Sequence, residues 1–339
     1  MHYNDKNLIE KVIRALSLLE MLVKAGCPLV FKGGTALMLI LGKSAHRLSI
    51  DIDLICPPGT NIEDYLKSFA DFGFINLELV ERKQRDDADI PKSHSKFFYQ
   101  IAYRNDTDAQ SYILLDVLYE DIHYFRTQQI AINCPFIRLE GKPLMVTVPS
   151  AEDILGDKLT AFAPNTTGIP YYRNGRSCSM EIAKQLYDVG RLFENVSDLQ
   201  ITKEAFRKIA VVELSYRSFG TDIGQVFNDI RQTALCISTR GKAGEGDFDL
   251  IQDGIIRVKS FMYKQRYLID HAIIDAARAA YLATLIEKGI NEIESYSNNP
   301  ADIKDMVIRP SLPNKLNKLR SNLPEAYYYW AKTSELLEA

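Results

Sequence analysis

A chain of 339 residues with 46% apolar and 25% charged side chains is long enough for one large core or two ordinary ones, and no run approaches the apolar length of a membrane-spanning helix. A net charge of −3 argues against a general nucleic-acid coat but leaves room for a local basic patch. Five scattered cysteines without Cys-x-x-Cys spacing argue for reduced thiols, and five histidines show no metal-ligand or triad spacing. With no basic-then-apolar leader in the first residues, a cytoplasmic location is expected.

Leu8, Val12, Leu16, Leu19 and Val23 recur at helical spacing and predict a helix over 7–24, ended by Gly26. The stretch 29–55 then carries the chemistry. It reads as a short apolar strand, a turn at Gly33, Gly34 and Thr35, a helix from about Thr35, and a second strand bearing Ser49, Asp51 and Asp53. Residues two apart on a strand share a face, so the two aspartates project together while Ile50, Ile52 and Leu54 face the core. Paired carboxylates repel unless a cation lies between them, and Mg²⁺ takes one or two carboxylates plus substrate phosphates. The glycines allow close backbone approach, and the following helix points its free N–H groups at the turn, a phosphate cradle. Gly42-Lys43-Ser44 resembles the tail of a P-loop, but Leu37 stands where that loop needs glycine, so Gly42 reads as a helix C-cap.

Further along, 62–72 reads as a helix closed by Gly73, and 74–84, 96–104, 110–119 and 129–148 read as strands, the last interrupted near 140–143. Asp116 is a charge inside an apolar strand, where an unpaired carboxylate would cost several kcal/mol. A metal shared with Asp51 and Asp53 would satisfy it, as would a basic partner. Three such carboxylates could hold two ions, the clamp of an in-line phosphoryl displacement. After Pro149 the pattern becomes helical, with helices expected over 150–163, 178–194, 203–217, 222–237, 247–264, 268–288 and 323–337 and a flexible glycine-rich connection from Gly241. Helix pattern alone leaves Lys158 solvated or paired with Asp157 or Glu152, and leaves Asp188 as the i+4 partner of Lys184. Tyr171, Tyr172, Arg173 and Arg176 make a basic, aromatic loop that could hold phosphates and stack bases or be a plain surface loop. Lys315, Lys318, Arg320 and Lys332, around the aromatic run 327–330, read as a solvated helix face with a packed aromatic side.

Phe31-Lys-Gly-Gly-Thr-Ala-Leu37 followed by Arg47-Leu-Ser-Ile-Asp-Ile-Asp53 resembles the opening motif of the AbiEii/AbiGii-type nucleotidyltransferase toxins, the toxin halves of AbiE-like type IV toxin–antitoxin systems. The stretches 113–118, 151–161 and 184–190 resemble that family's remaining motifs, in the right order. The resemblance implies a third acidic residue at Asp116, an essential lysine at Lys158 that meets the triphosphate, and a final aspartate at Asp188 that either orients Lys158 or takes a proton. It also implies phosphate contacts around Lys32, Gly33, Gly34, Thr35, Arg47 and Ser49, although Arg47 reads slightly better as packing for the turn. A phosphate added at Ser49 would set negative charge beside the two carboxylates.

The expected fold class is α+β: a nucleotidyltransferase-like mixed sheet flanked by helices over 1–149, then a mainly α-helical region over 150–339 that offers an acceptor surface. The expected reaction is transfer of a nucleoside monophosphate from an NTP to an acceptor hydroxyl with Mg²⁺, as one or two ions, or Mn²⁺. The resemblance implies the 3′ end of tRNA as acceptor, growth arrest or phage defence as outcome, and a neighbouring antitoxin, often with a winged-helix domain. The same residues could serve AMP transfer to a protein or nucleotidyl transfer to a small antibiotic. A non-catalytic nucleotide-binding regulator is disfavoured, because every expected carboxylate is present.

Overall fold

Asp5 opens the first helix by accepting the backbone N–H of Leu8 at 3.1 Å, and α1 (Lys6–Lys24) buries Leu8, Val12, Leu16 and Leu19 along one stripe. Gly26, at φ +74°, turns the chain out of that helix. The computed structural model describes residues 5–79, 92–102, 109–196, 198–217, 220 and 222–339.

The chain next forms β1 (Val30–Lys32), α2 (Gly33–Leu41), β2 (Ile52–Cys56), β3 (Asn76–Leu79), β4 (Lys92–Gln100) and β5 (Gln110–Tyr119). These strands make one sheet in the order β1-β2-β5-β4-β3, in which only β2 and β5 run parallel. A separate antiparallel pair, β6 (Thr127–Ala131) and β7 (Met145–Pro149), follows. Ile52, Leu54, Ile113, Leu115 and Val117 are fully buried and pack with α1 and α2 residues into one apolar cluster. The alternate positions Asp53 and Asp116 are only half-buried.

α3 (Ala151–Ala161) begins the helical part. A two-residue hairpin, β8 (Tyr172–Arg173) and β9 (Arg176–Ser177), precedes α4 (Ser179–Phe193), α5 (Gln200–Tyr216), α6 (Gly224–Ser238), α7 (Phe248–Val258), α8 (Ile269–Lys288), α9 (Leu319–Asn322) and α10 (Pro324–Glu338). The chain forms two compact units, one of residues 1–150 with 261–265 and one of 151–260 with 266–339. The short return segment of the first unit is bonded to the stretch ahead of the Asp-x-Asp motif: Leu48 donates to the Phe261 carbonyl at 2.9 Å and Tyr263 to that of His46 at 3.2 Å.

The α+β class is as expected, and several boundaries differ for physical reasons. The second strand begins at Ile52, so Ser49 and Asp51 lie in the extended segment before it. The 62–72 helix is instead two 3-10 turns, Ile62–Tyr65 and Phe69–Phe72; only Ile62 and Leu66 are fully buried there, too few anchors for a continuous short helix. α2 starts at Gly33, two residues earlier than expected, and has no side-chain cap at Lys32. Residues 80–84 and 103–104 of two expected strands lie outside the described residues. Among the described residues no helix is long and apolar enough to cross a membrane.

Candidate active site

Strand register builds the first unit's site. Lys32 pairs with Asp53 across β1 and β2, Asp53 with Asp116 across β2 and β5, and Asp116 with His94 across β5 and β4. Directly paired residues point to the same face, so four adjacent strands carry a row of Lys32, Asp53, Asp116 and His94. Neighbouring strands are about 4.8 Å apart, which makes Asp53 and Asp116 a like-charged pair that a cation would stabilise.

Backbone geometry at the row's edge is tight. Gly33 sits at φ +77°, and a Cβ there would lie 2.1 Å from Asp53 Oδ2. The Asp53 carboxylate therefore packs directly on the first turn of α2, where helix N–H groups favour negative charge. A Cβ on Gly34 would meet Ser49 Oγ at 2.8 Å and Arg47 Nη2 at 2.9 Å. Thr35 is buried and donates its hydroxyl to the Asp51 carbonyl at 2.7 Å, which fixes the backbone of the Asp-x-Asp motif. Arg47 and Ser49 are buried as well, and Arg47 Nη1 donates to the Leu48 carbonyl at 3.2 Å. Arg47 thus packs the motif turn, and the Ser49 hydroxyl has little room to receive a phosphate. The Lys32 ammonium stands 5.8 Å from the Tyr124 ring centroid.

His94 is the residue that sequence reasoning missed. Its Nδ1 donates to Asp116 Oδ1, while its Nε2 is buried with no hydrogen-bond partner among the described residues. The run Lys92-Ser-His-Ser-Lys96 lacks apolar alternation, so the expected strand started at 96 and left His94 outside it. Among the described residues no group of three His, Cys, Asp or Glu side chains is assembled to hold a metal.

In the second unit, α3 and α4 bring Lys158 and Asp188 together. Lys158 Nζ lies 3.0 Å from Asp188 Oδ2 and donates to Gln185 Oε1 at 2.9 Å. Both charged side chains are buried, at 8% and 3% side-chain exposure, so the pair is held in a low-dielectric setting. Gln185 and Asp188 are three apart on α4 and face the same lysine, a relation visible in sequence only once the lysine's position is known. An ammonium has three donors, and these two partners use two of them.

The 171–176 segment is not an open loop. Asn174 and Gly175 adopt φ +51° and +73°, the two left-handed residues of a tight hairpin turn, an Asn-Gly signal readable in the sequence. Tyr172, Arg173 and Arg176 are exposed on it, while Tyr171 is half-buried, with its hydroxyl out of contact with water, and desolvation pushes that phenol up to about 12. In the last cluster, Lys332 pairs with Glu294 at 2.6 Å, Arg320 lies over the Tyr327 ring and the aromatic run 327–330 is buried.

The model of one family, the nucleotidyl transferase AbiEii toxin of type IV toxin–antitoxin systems, matches residues 16–223. The chain belongs to this family. The AbiEii match makes it a nucleotidyltransferase of a toxin family, and the matched span contains every residue of both groups described above. Among solved structures, JHP933 from Helicobacter pylori is similar at 16% identity, covering 85% of this chain and 92% of that one, with a TM-score of 0.40. A second H. pylori protein, assigned only provisionally as a nucleotidyltransferase, is similar at 16% identity over 85% of this chain and 95% of its own, with a TM-score of 0.37. A comparison with proteins of curated function gave no match.

Proposed function

We propose that this AbiEii-family enzyme transfers a nucleoside monophosphate from an NTP to an acceptor hydroxyl, in a reaction that needs Mg²⁺, and that the acceptor is the 3′ end of tRNA. The observation that carries the reading is the row Lys32, Asp53, Asp116, His94 beside the Gly33 turn. Asp53 and Asp116 supply the two carboxylates that Mg²⁺ accepts alongside phosphate oxygens, so the donor set fits this metal better than one that wants a closed protein cage. Asp51, two residues before Asp53, is the third candidate ligand. Bound there, the metal would neutralise phosphate charge as the acceptor hydroxyl bonds through its oxygen to the α-phosphorus, its proton passing to solvent and pyrophosphate leaving.

The chain's own groups have separable tasks. The N–H groups at Gly33 and Gly34 and the first turn of α2 bind phosphate oxygens. Thr35, Arg47 and Ser49 hold the motif in shape, which supports a positioning role for all three. In the second unit, Asp188 and Gln185 orient Lys158, whose remaining donor is assigned to the triphosphate. The hydrogen-bonded pairing favours this orienting role for Asp188 over that of a general base. As a toxin-family member the enzyme would be restrained by an antitoxin encoded beside it.

The test is transfer of label from each α-³²P-labelled NTP into total tRNA and, separately, into total protein, with Asp53→Ala as the control. Label in tRNA that disappears in the variant is expected. Label in protein alone would replace the acceptor, and equal label from Asp53→Ala would remove Asp53 from the site.

A further inference from the structure

The second unit contains a cavity of about 480 Å³ that the reaction chemistry does not use. Arg240, Lys242, Lys315 and Lys318 line it, against one acidic residue, Asp270. That carboxylate is already engaged, accepting from Arg240 Nη2 at 3.0 Å. Lys242 and Lys318 have no acidic partner among the described residues. A chain with a net charge of −3 thus gathers an excess of positive charge in one recess.

The recess is built. α6 ends in a Schellman motif, in which Arg240 N–H bonds to the Ile237 carbonyl at 3.1 Å and Gly241 N–H to that of Cys236 at 2.8 Å. Glycine is the usual occupant of the left-handed residue in that motif, yet here it is Arg240, at φ +53°, with glycine one place later. Holding a side-chain-bearing residue there costs about 1 kcal/mol, and such strain gathers at functional positions. The next turn is pinned by Thr239, whose hydroxyl accepts from Ala243 N–H at 2.9 Å, and by Lys315, which donates to the Lys242 carbonyl. The negative end of α6 would favour Arg240 and Lys242 without any ligand. It also accounts for Lys315, bonded to the Lys242 carbonyl, but not for Lys318, which lies at the end of a separate short turn, Asn314–Lys318.

We propose that this recess binds the phosphodiester backbone of a polynucleotide. The lining contains no aromatic ring on which a base could stack; its apolar floor is Ile273, Leu319 and Leu323. Cations without a base platform read phosphates and not sequence. The assignment rests on the proposed RNA acceptor and adds to it a second point of attachment, distinct from the hydroxyl that reacts.

The experiment is equilibrium binding of fluorescently labelled total tRNA to the full chain, without nucleotide and with chelator, followed by anisotropy across a salt series. The double variant Lys242→Glu, Lys318→Glu is compared with Lys288→Glu plus Lys203→Glu, which makes the same charge change elsewhere, since Lys203 Nζ bonds Asn291 just beyond Lys288. Lys288 ends α8, roughly 27 Å along that helix from Asp270. The pocket variant should bind at least tenfold more weakly in low salt, with a log–log salt slope shallower by about 1.5, while the control pair matches wild type. Equal losses in both pairs, or none in either, would overturn the pocket. Displacement of RNA by inorganic tripolyphosphate at equal phosphate concentration, lost only in the pocket variant, would assign the recess to free polyphosphate and overturn the polynucleotide. Because no transfer step is read, wild-type labelling of tRNA judges the acceptor separately: tRNA labelled with pocket-variant binding intact sinks this inference alone.

Discussion

At the residue scale, the contact between Gly33 and Asp53 is a tight constraint on the candidate site. An added methyl would sit 2.1 Å from the carboxylate oxygen, in a backbone region that alanine avoids. Gly33→Ala should therefore lower stability by about 1–3 kcal/mol and abolish label transfer, measured by urea unfolding beside the transfer assay. His94 gives a second residue-scale test. Its Nδ1–H holds one oxygen of Asp116, as groups behind metal ligands commonly do, and loss of such a partner costs about 10–100-fold. His94→Ala should lose activity in that range and need more Mg²⁺, whereas His94→Asn, whose amide nitrogen can take the place of Nδ1, should recover most of it. Equal loss in both variants would mean that the ring only fills space. The glycines and aspartates were legible from spacing alone; His94 was not, because its importance comes from a neighbour twenty-two positions away that only strand pairing supplies.

At the element scale, the second unit is tied together by a charge cluster centred on buried Arg278 and Asp275. Arg278 on α8 donates to Glu325 of α10 at 3.0 Å, to Glu194 at the end of α4 at 3.0 Å and to Asp275 of its own helix at 3.3 Å. The Asp275 carboxylate also accepts from Tyr267 at 3.0 Å, and it lies where a Cβ on Gly190 would be, so α4 and α8 cross at close range. Burial raises Asp275 to about 6, against the opposing pull of Arg278 and Arg191. With its pKa raised on folding, the native state binds more protons than the unfolded chain between about pH 4 and 6. Asp275 thus makes the protein less stable as pH rises through that window, by up to about 3 kcal/mol, and adds no further slope above it. Urea midpoints at pH 4.5 and 6.5 should show that decline in wild type relative to Asp275→Asn, which cannot titrate; parallel profiles would refute the shift. The sequence displayed these helices through their apolar spacing. It could not display which charges meet, since Arg278, Glu194 and Glu325 are far apart in the chain.

At the scale of the whole molecule, the proposed metal-dependent reaction and the stability of the fold can be tested apart. The apolar cluster of the first unit and the charge network of the second are built from the chain's own side chains. Chelation should therefore stop label transfer and leave the thermal unfolding curve unchanged when no nucleotide is present, followed by circular dichroism. A large fall in melting temperature on chelation would instead indicate a structural ion.

The sequence by itself determined the α+β class, the Gly-Gly turn and the family, because these depend on local periodicity and on residue types a few positions apart. Tertiary structure decided the rest. Register aligned Lys32, Asp53, Asp116 and His94 across four strands, and helix packing chose Asp188 and Gln185 as the partners of Lys158. It also placed residues 261–265 with the first unit. Each of these is a contact between distant parts of the chain, and no local pattern encodes which distant residue will arrive.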